Sequence, residues 1–113
     1  MTLMDISLLS KIAYTKNRSD RMTENGFILY PTKPDLEPFK EILGLDQLVE
    51  QRYLLEYDLT TLCNMLHQAM LYDGKKMSEC KDITEGIEVL SNLGNELDKC
   101  IYTILIRHYK EVK

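Results

Sequence analysis

The chain has no tryptophan, two phenylalanines, five glycines and three prolines in 113 residues. So little glycine and proline disfavours a turn-rich all-β design, which needs a turn signal about every ten residues. The three cysteines are odd in number and widely spaced. They do not make the framework of a disulfide-stapled domain, and small thiols in a reducing compartment are the expectation. An excess of positive charge is lacking too: 14 Lys/Arg stand against 18 Asp/Glu, a net of −4. That balance disfavours nucleic-acid binding through a basic surface. Long apolar runs are missing. The longest nearly apolar stretch is Ile101–Ile106, far short of the roughly 20 residues of a membrane span. The opening Met1-Thr2-Leu3-Met4-Asp5 has no cationic start, so no signal peptide is expected and a cytoplasmic location is. Asn17-Arg18-Ser19 fits the glycosylation sequon, a pattern that arises readily by chance.

What is present is helical periodicity. Leu45, Leu48, Arg52, Leu55, Leu59, Leu62, Leu66 and Ala69 follow at steps alternating three and four. Ile83, Ile87, Leu90, Gly94, Leu97, Ile101, Ile104 and His108 do the same. Such steps place side chains on one stripe of an α-helix, whereas a strand needs period two. Val49, Cys63, Met70, Val89, Leu93, Cys100 and Leu105 flank the stripes and widen them beyond a coiled-coil seam. Between them Asp73–Cys80 reads as a connection of about eight residues, with Gly74 as a left-handed stop and Ser78 or Asp82 as the next N-cap. So short a connection makes the helices antiparallel neighbours.

The expected fold is therefore all-α and one domain over residues 1–113, built on a long antiparallel hairpin of about 45–72 and 81–112. Residues 3–16 carry Ile6, Leu8, Leu9, Ile12 and Ala13 on one side and predict a shorter N-terminal helix. Lys16–Arg21 is polar and expected to be exposed. Gly26–Pro34 must be extended, because proline biases its predecessor away from the α region, and its apolar content predicts packing on the hairpin. Asp35 is placed to cap a short helix to Leu43, with Gly44 breaking or bending the chain before the long helix. The apolar area left over suggests completion of the bundle by dimerisation, with Leu59 opposite Gly94 by a symmetric count.

Charge divides the chain. Residues 1–34 hold five Lys/Arg against three Asp/Glu, residues 35–72 two against seven, and residues 73–113 seven against eight. The basic arm Lys11, Tyr14, Lys16, Arg18 and Arg21 is a candidate contact for a phosphate-bearing or nucleotide ligand or an acidic partner. Seven tyrosines are present; Tyr53 and Tyr57, one turn apart beside Glu50, Glu56 and Asp58, are candidate partner contacts.

Catalytic patterns are incomplete. Cys63 and His67 have ligand spacing at i, i+4, but the hairpin sets Cys100 roughly 15 Å further along, His108 beyond it and Cys80 nearer the turn, so no metal site is expected. Glu85-Gly86-Ile87-Glu88 matches the first half of the Glu-x-x-Glu plus Glu-x-x-Asp pattern of helical nucleotide pyrophosphohydrolases, and the second half does not follow. His67 precedes Gln68-Ala69-Met70-Leu71 rather than the Lys and Gly of a phosphotransfer histidine, and Arg107 and His108 are adjacent. The five glycines are scattered singly, so no phosphate loop is formed. The expected function is a non-enzymatic helical protein–protein interaction module, an adaptor, regulator or inhibitor, acting as a homodimer without cofactors. A ligand binder using the basic arm is the alternative, and a metal-dependent hydrolase using Glu85 and Glu88 comes third.

Overall fold

The computed structural model describes residues 18–112, so the expected helix over 3–16 and the candidates Lys11, Tyr14 and Lys16 lie outside the described residues. Two long helices form an antiparallel hairpin. Helix α1 runs Leu45–His67 and is prolonged by one π turn, Gln68–Tyr72; α2 runs Lys81–Val112. Among the described residues there is no strand, only an isolated antiparallel bridge between Met22 and Ile28.

The helix ends follow from local chemistry. Gly44 takes φ 83°, a left-handed value that only glycine adopts without strain, and α1 starts directly after it. At the other end Gly74 is left-handed as expected, and the Lys75 amide donates back to Ala69 O at 2.9 Å. That bond spans one residue more than the six-to-one bond of a Schellman cap, in keeping with the wider π turn, and satisfies a carbonyl the helix end would otherwise orphan. Gly94 does not interrupt α2, which is continuous through it.

Two local expectations need correction. Neither Ser78 nor Asp82 caps α2. A single 3-10 turn, Met77–Cys80, runs straight into the helix behind an extended Lys76, with no side-chain cap. The short helix before Gly44 shrinks to one 3-10 turn, Glu37–Phe39; Asp35 Oδ1 does accept the Glu37 amide at 3.1 Å.

The early turn also shifts the pairing across the hairpin. Helical structure ends at Tyr72 and resumes at Met77, so the axis of the hairpin lies about two residues earlier than an eight-residue connection implies. Accordingly a Cβ on Gly86 would sit 3.1 Å from Leu62, and one on Gly94 would sit 3.3 Å from both Leu55 and Arg52. Gly94 therefore faces Arg52 and Leu55 rather than Leu59, one turn away from the expected pairing. Leu59 itself is fully buried.

The apolar core is concentrated at the open end of the hairpin, where Phe39, Ile42, Leu45, Val49, Ile101 and Leu105 meet. Phe39 and Ile42 come from the loop before α1, so that loop plugs the end of the helix pair. Residues 21–29 fold as a tight hairpin: Leu29 donates to Arg21 O at 2.8 Å and Thr23 to Phe27 O at 2.7 Å. Its turn is Thr23–Gly26, closed by the Gly26 amide donating to Thr23 O at 3.0 Å. Gly26, expected to be extended, instead takes the left-handed position at φ 87° that lets the chain rejoin the second arm at Phe27. The following segment runs along α1 as expected, with Pro31 buried.

Leu59→Ala should leave a cavity in the middle of this helix pair and cost about 2–5 kcal/mol, read as a lowered denaturant midpoint. Leu71→Ala, at an exposed position, should move the midpoint by less than about 0.5 kcal/mol.

Candidate functional site

Arg52 lies on the apolar stripe of α1 and Glu56 one turn further on, so both enter the interior together. Arg52 and Glu56 are buried, the carboxylate completely. Three guanidinium groups surround that carboxylate. Arg18 donates through Nε and Nη2 at 2.5 and 2.7 Å, a two-pronged fork. Arg21 donates from Nη2 at 2.8 Å, and Arg52 from Nη1 at 3.1 Å. Each oxygen thus accepts two hydrogen bonds, which fills the roughly four acceptor positions a carboxylate offers. Arg52 Nε reaches across to Asp98 on α2 at 3.0 Å. Three cations and two anions leave the cluster formally one charge positive.

The arrangement ties the arm to the hairpin. Arg21 Nη1 also donates to Leu29 O at 2.9 Å, within the small hairpin. Thr60 closes the cluster by donating to Glu56 O at 2.8 Å. Arg21 Nε is the one buried side-chain polar atom among the described residues without an acceptor.

Further along α1 the same segment is fastened by pairs. Asn64 exchanges two hydrogen bonds with the backbone of Ile28, at 2.7 and 2.9 Å. Tyr30 bonds Thr61 at 2.9 Å and stacks on Tyr57 with ring centroids 4.3 Å apart. His67 Nε2 lies 2.7 Å from Asn25 O, and its ring packs edge-to-face with Phe27, centroids 4.6 Å apart.

The electrostatics follow from this packing. Burial alone would raise the Glu56 pKa, but the hydrogen bonds and charges of Arg18, Arg21 and Arg52 outweigh it and hold the group below its ordinary value. The Glu56 hydrogen bond raises Arg18 in turn. Burial pushes the Cys63 thiol up, against the opposing charge of Arg18, so it stays protonated and poorly nucleophilic at neutral pH. With its acceptor positions filled, Glu56 has no lone pair free to take a proton from a substrate. Chemically the cluster is a clasp.

The comparison with known proteins leaves the chain to its own geometry: it matches no protein-family model, no curated protein and no solved structure.

Of the site residues expected from sequence, Arg18 and Arg21 converge, on Glu56. They are partly buried and ion-paired rather than freely exposed, because the carboxylate on α1 needs their charge. Tyr57 is engaged by Tyr30 and Tyr53, with ring centroids 4.3 and 6.4 Å apart, and keeps one side in solvent. Among the described residues no three His, Cys, Asp or Glu side chains come together as metal ligands, and no helix is long and apolar enough to cross a membrane. Glu85 and Glu88 are exposed.

Sequence reasoning missed Glu56 and Asp98. A usable signal existed: Arg52 on an apolar stripe demands a buried counter-charge, and Glu56 at i+4 and Asp98 beside the second stripe were the available ones.

Glu56→Gln should cost about 3–5 kcal/mol, since it leaves three guanidiniums with one carboxylate. The lowered Glu56 pKa gives a second test. Its stabilisation is complete above the pKa of the unfolded chain and is lost as pH falls through the lower folded value. Denaturant midpoints should therefore drop steeply below about pH 4, and Glu56→Gln should flatten that drop.

Proposed function

We propose that the protein is a non-enzymatic helical interaction module, which docks a partner on the face of the hairpin turned away from the arginine clasp. One observation carries this reading. Leu54, Met65, Val89 and Leu93 remain 52, 48, 57 and 50 % exposed, although they come from the two helices that form the interior. At about 100° per residue, Leu54 lies some 200° around α1 from Arg52, and Val89 some 180° around α2 from Asp98. The Arg52–Asp98 pair marks one side of the hairpin, so these four residues share the other. Val89 and Leu93 belong to the flanks of the sequence stripe, and no described segment covers them. Large apolar side chains grouped on a surface mark interaction sites more often than scattered ones do.

The arm-based ligand reading is weaker on the same geometry. A phosphate held by Arg18 and Arg21 would have to displace Glu56 from three short hydrogen bonds. Its desolvated carboxylate would then be left with Arg52 alone.

A Leu54→Lys/Leu93→Lys double variant tests the reading. Stability should change by less than about 1 kcal/mol, because both positions are surface sites, while binding of the apolar dye ANS should fall. Destabilisation by several kcal/mol would place these residues in the core and overturn the proposal.

A further inference from the structure

Resting on that reading, we infer that the partner which fits this face is a cationic amphipathic helix. Two separate clefts bracket a strip of exposed apolar side chains, and that strip with its end clefts is the trough. At the turn end a cleft of about 420 Å³ has Met65 and Ile83 on its apolar side and is walled elsewhere by polar groups, among them Gln68 and the bonded Tyr30 and Thr61. At the open end a second cleft of about 420 Å³ lies against Ile42, Leu43 and Ile104, where Leu43 is 98 % exposed. Leu93, Leu97 and Ile104 follow at i, i+4 and i+11 on α2 and so form one row leading toward that end. Ile83 and Ile104 are separated by about 32 Å along the helix, the length of a docked helix of some 20 residues. Apolar anchors repeated at three and four residues on such a helix would meet the trough.

Charge selects among helices. Beside the trough α1 contributes Asp58, and α2 contributes Asp82, Glu85 and Glu96, all exposed. The cations nearby are few. Lys99 and Glu96 are paired at 3.3 Å and offset each other, which leaves Asp58, Asp82 and Glu85 as the net charge, and Lys75 and Arg107 sit at the two end clefts. The long middle of the rim is therefore acidic. Two copies of this face would bring carboxylates against carboxylates, which disfavours a second chain as occupant. An anionic lipid surface or a nucleic acid is rejected by the same sign. A helix with an apolar stripe flanked by Lys and Arg satisfies both the trough and its rim.

The test uses the full chain and two fluorescein-labelled helical peptides of about 20 residues with an identical leucine stripe, one flanked by lysines and the other by glutamates. Fluorescence anisotropy at low salt should show the lysine peptide bound at least about tenfold more tightly. The Asp58→Asn/Glu85→Gln/Glu96→Gln variant should remove most of that preference. Leu93→Gln, which keeps every charge, should weaken both peptides. Equal binding of the two peptides, still sensitive to Leu93→Gln, would overturn the cationic choice while leaving the docking face standing. Lysine-peptide binding that ignores Leu93→Gln and vanishes in salt would overturn the inference as mere charge attraction. Failure of both peptides to bind would overturn it too, and the dye and stability measurements on the Leu54→Lys/Leu93→Lys variant would then judge the docking face separately. Sedimentation revealing self-association abolished by Leu93→Gln would make the occupant a second copy, against the inference.

Discussion

A carboxylate taken wholly out of water is the constraint around which this chain is organised. Removing the charge of Glu56 from solvent costs several kcal/mol even after relaxation, and no single partner would offset it. The fold meets the cost by saturating both oxygens with guanidinium donors, two of them imported from a segment more than thirty residues earlier. Because Arg18 and Arg21 must reach Glu56, the small hairpin of residues 21–29 is held against α1 and nowhere else. The Asn64–Ile28 bonds and the Tyr30–Tyr57 stack then extend the attachment along the helix.

This attachment makes the molecule two-sided. On one side the helices share the Arg52–Asp98 bridge and the clasp; on the other, leucines, a valine and a methionine stay in water. The interior is likewise divided along its length. Phe39, Ile42, Leu45, Val49, Ile101 and Leu105 form an apolar plug at the open end, while Arg52, Glu56 and Thr60 occupy the centre. An apolar plug is tolerant of small shifts in register, because the hydrophobic effect is non-directional. A layer of charge-assisted hydrogen bonds is not. In this reading the plug contributes burial, and the central layer selects which segment lies where.

Much of the architecture was legible beforehand. The three–four alternation located both long helices and their antiparallel pairing, and the glycines at 44 and 74 marked the ends of α1. Those features depend on local backbone preferences and on period, which neighbouring residues carry by themselves. The cross-hairpin register was not legible, because it hinges on whether Met77–Cys80 counts as connection or helix. A four-residue change there moved Gly94 from Leu59 to Arg52 and Leu55.

By itself, then, the sequence determined the helical class, the hairpin, the buried place of Leu59 and the extended course of the proline-bearing segment. Tertiary structure alone decided the fate of the charges. Glu56 looked like one more acidic residue beside Tyr57, and Arg18 and Arg21 like part of a solvated basic arm. Whether a charged side chain is exposed or buried depends on counter-charges brought from remote positions, and no local pattern records that meeting. For the same reason the width of the apolar stripes could be read from the sequence, but not which edge would be left open. That was set when the arm was fastened to one side of α1.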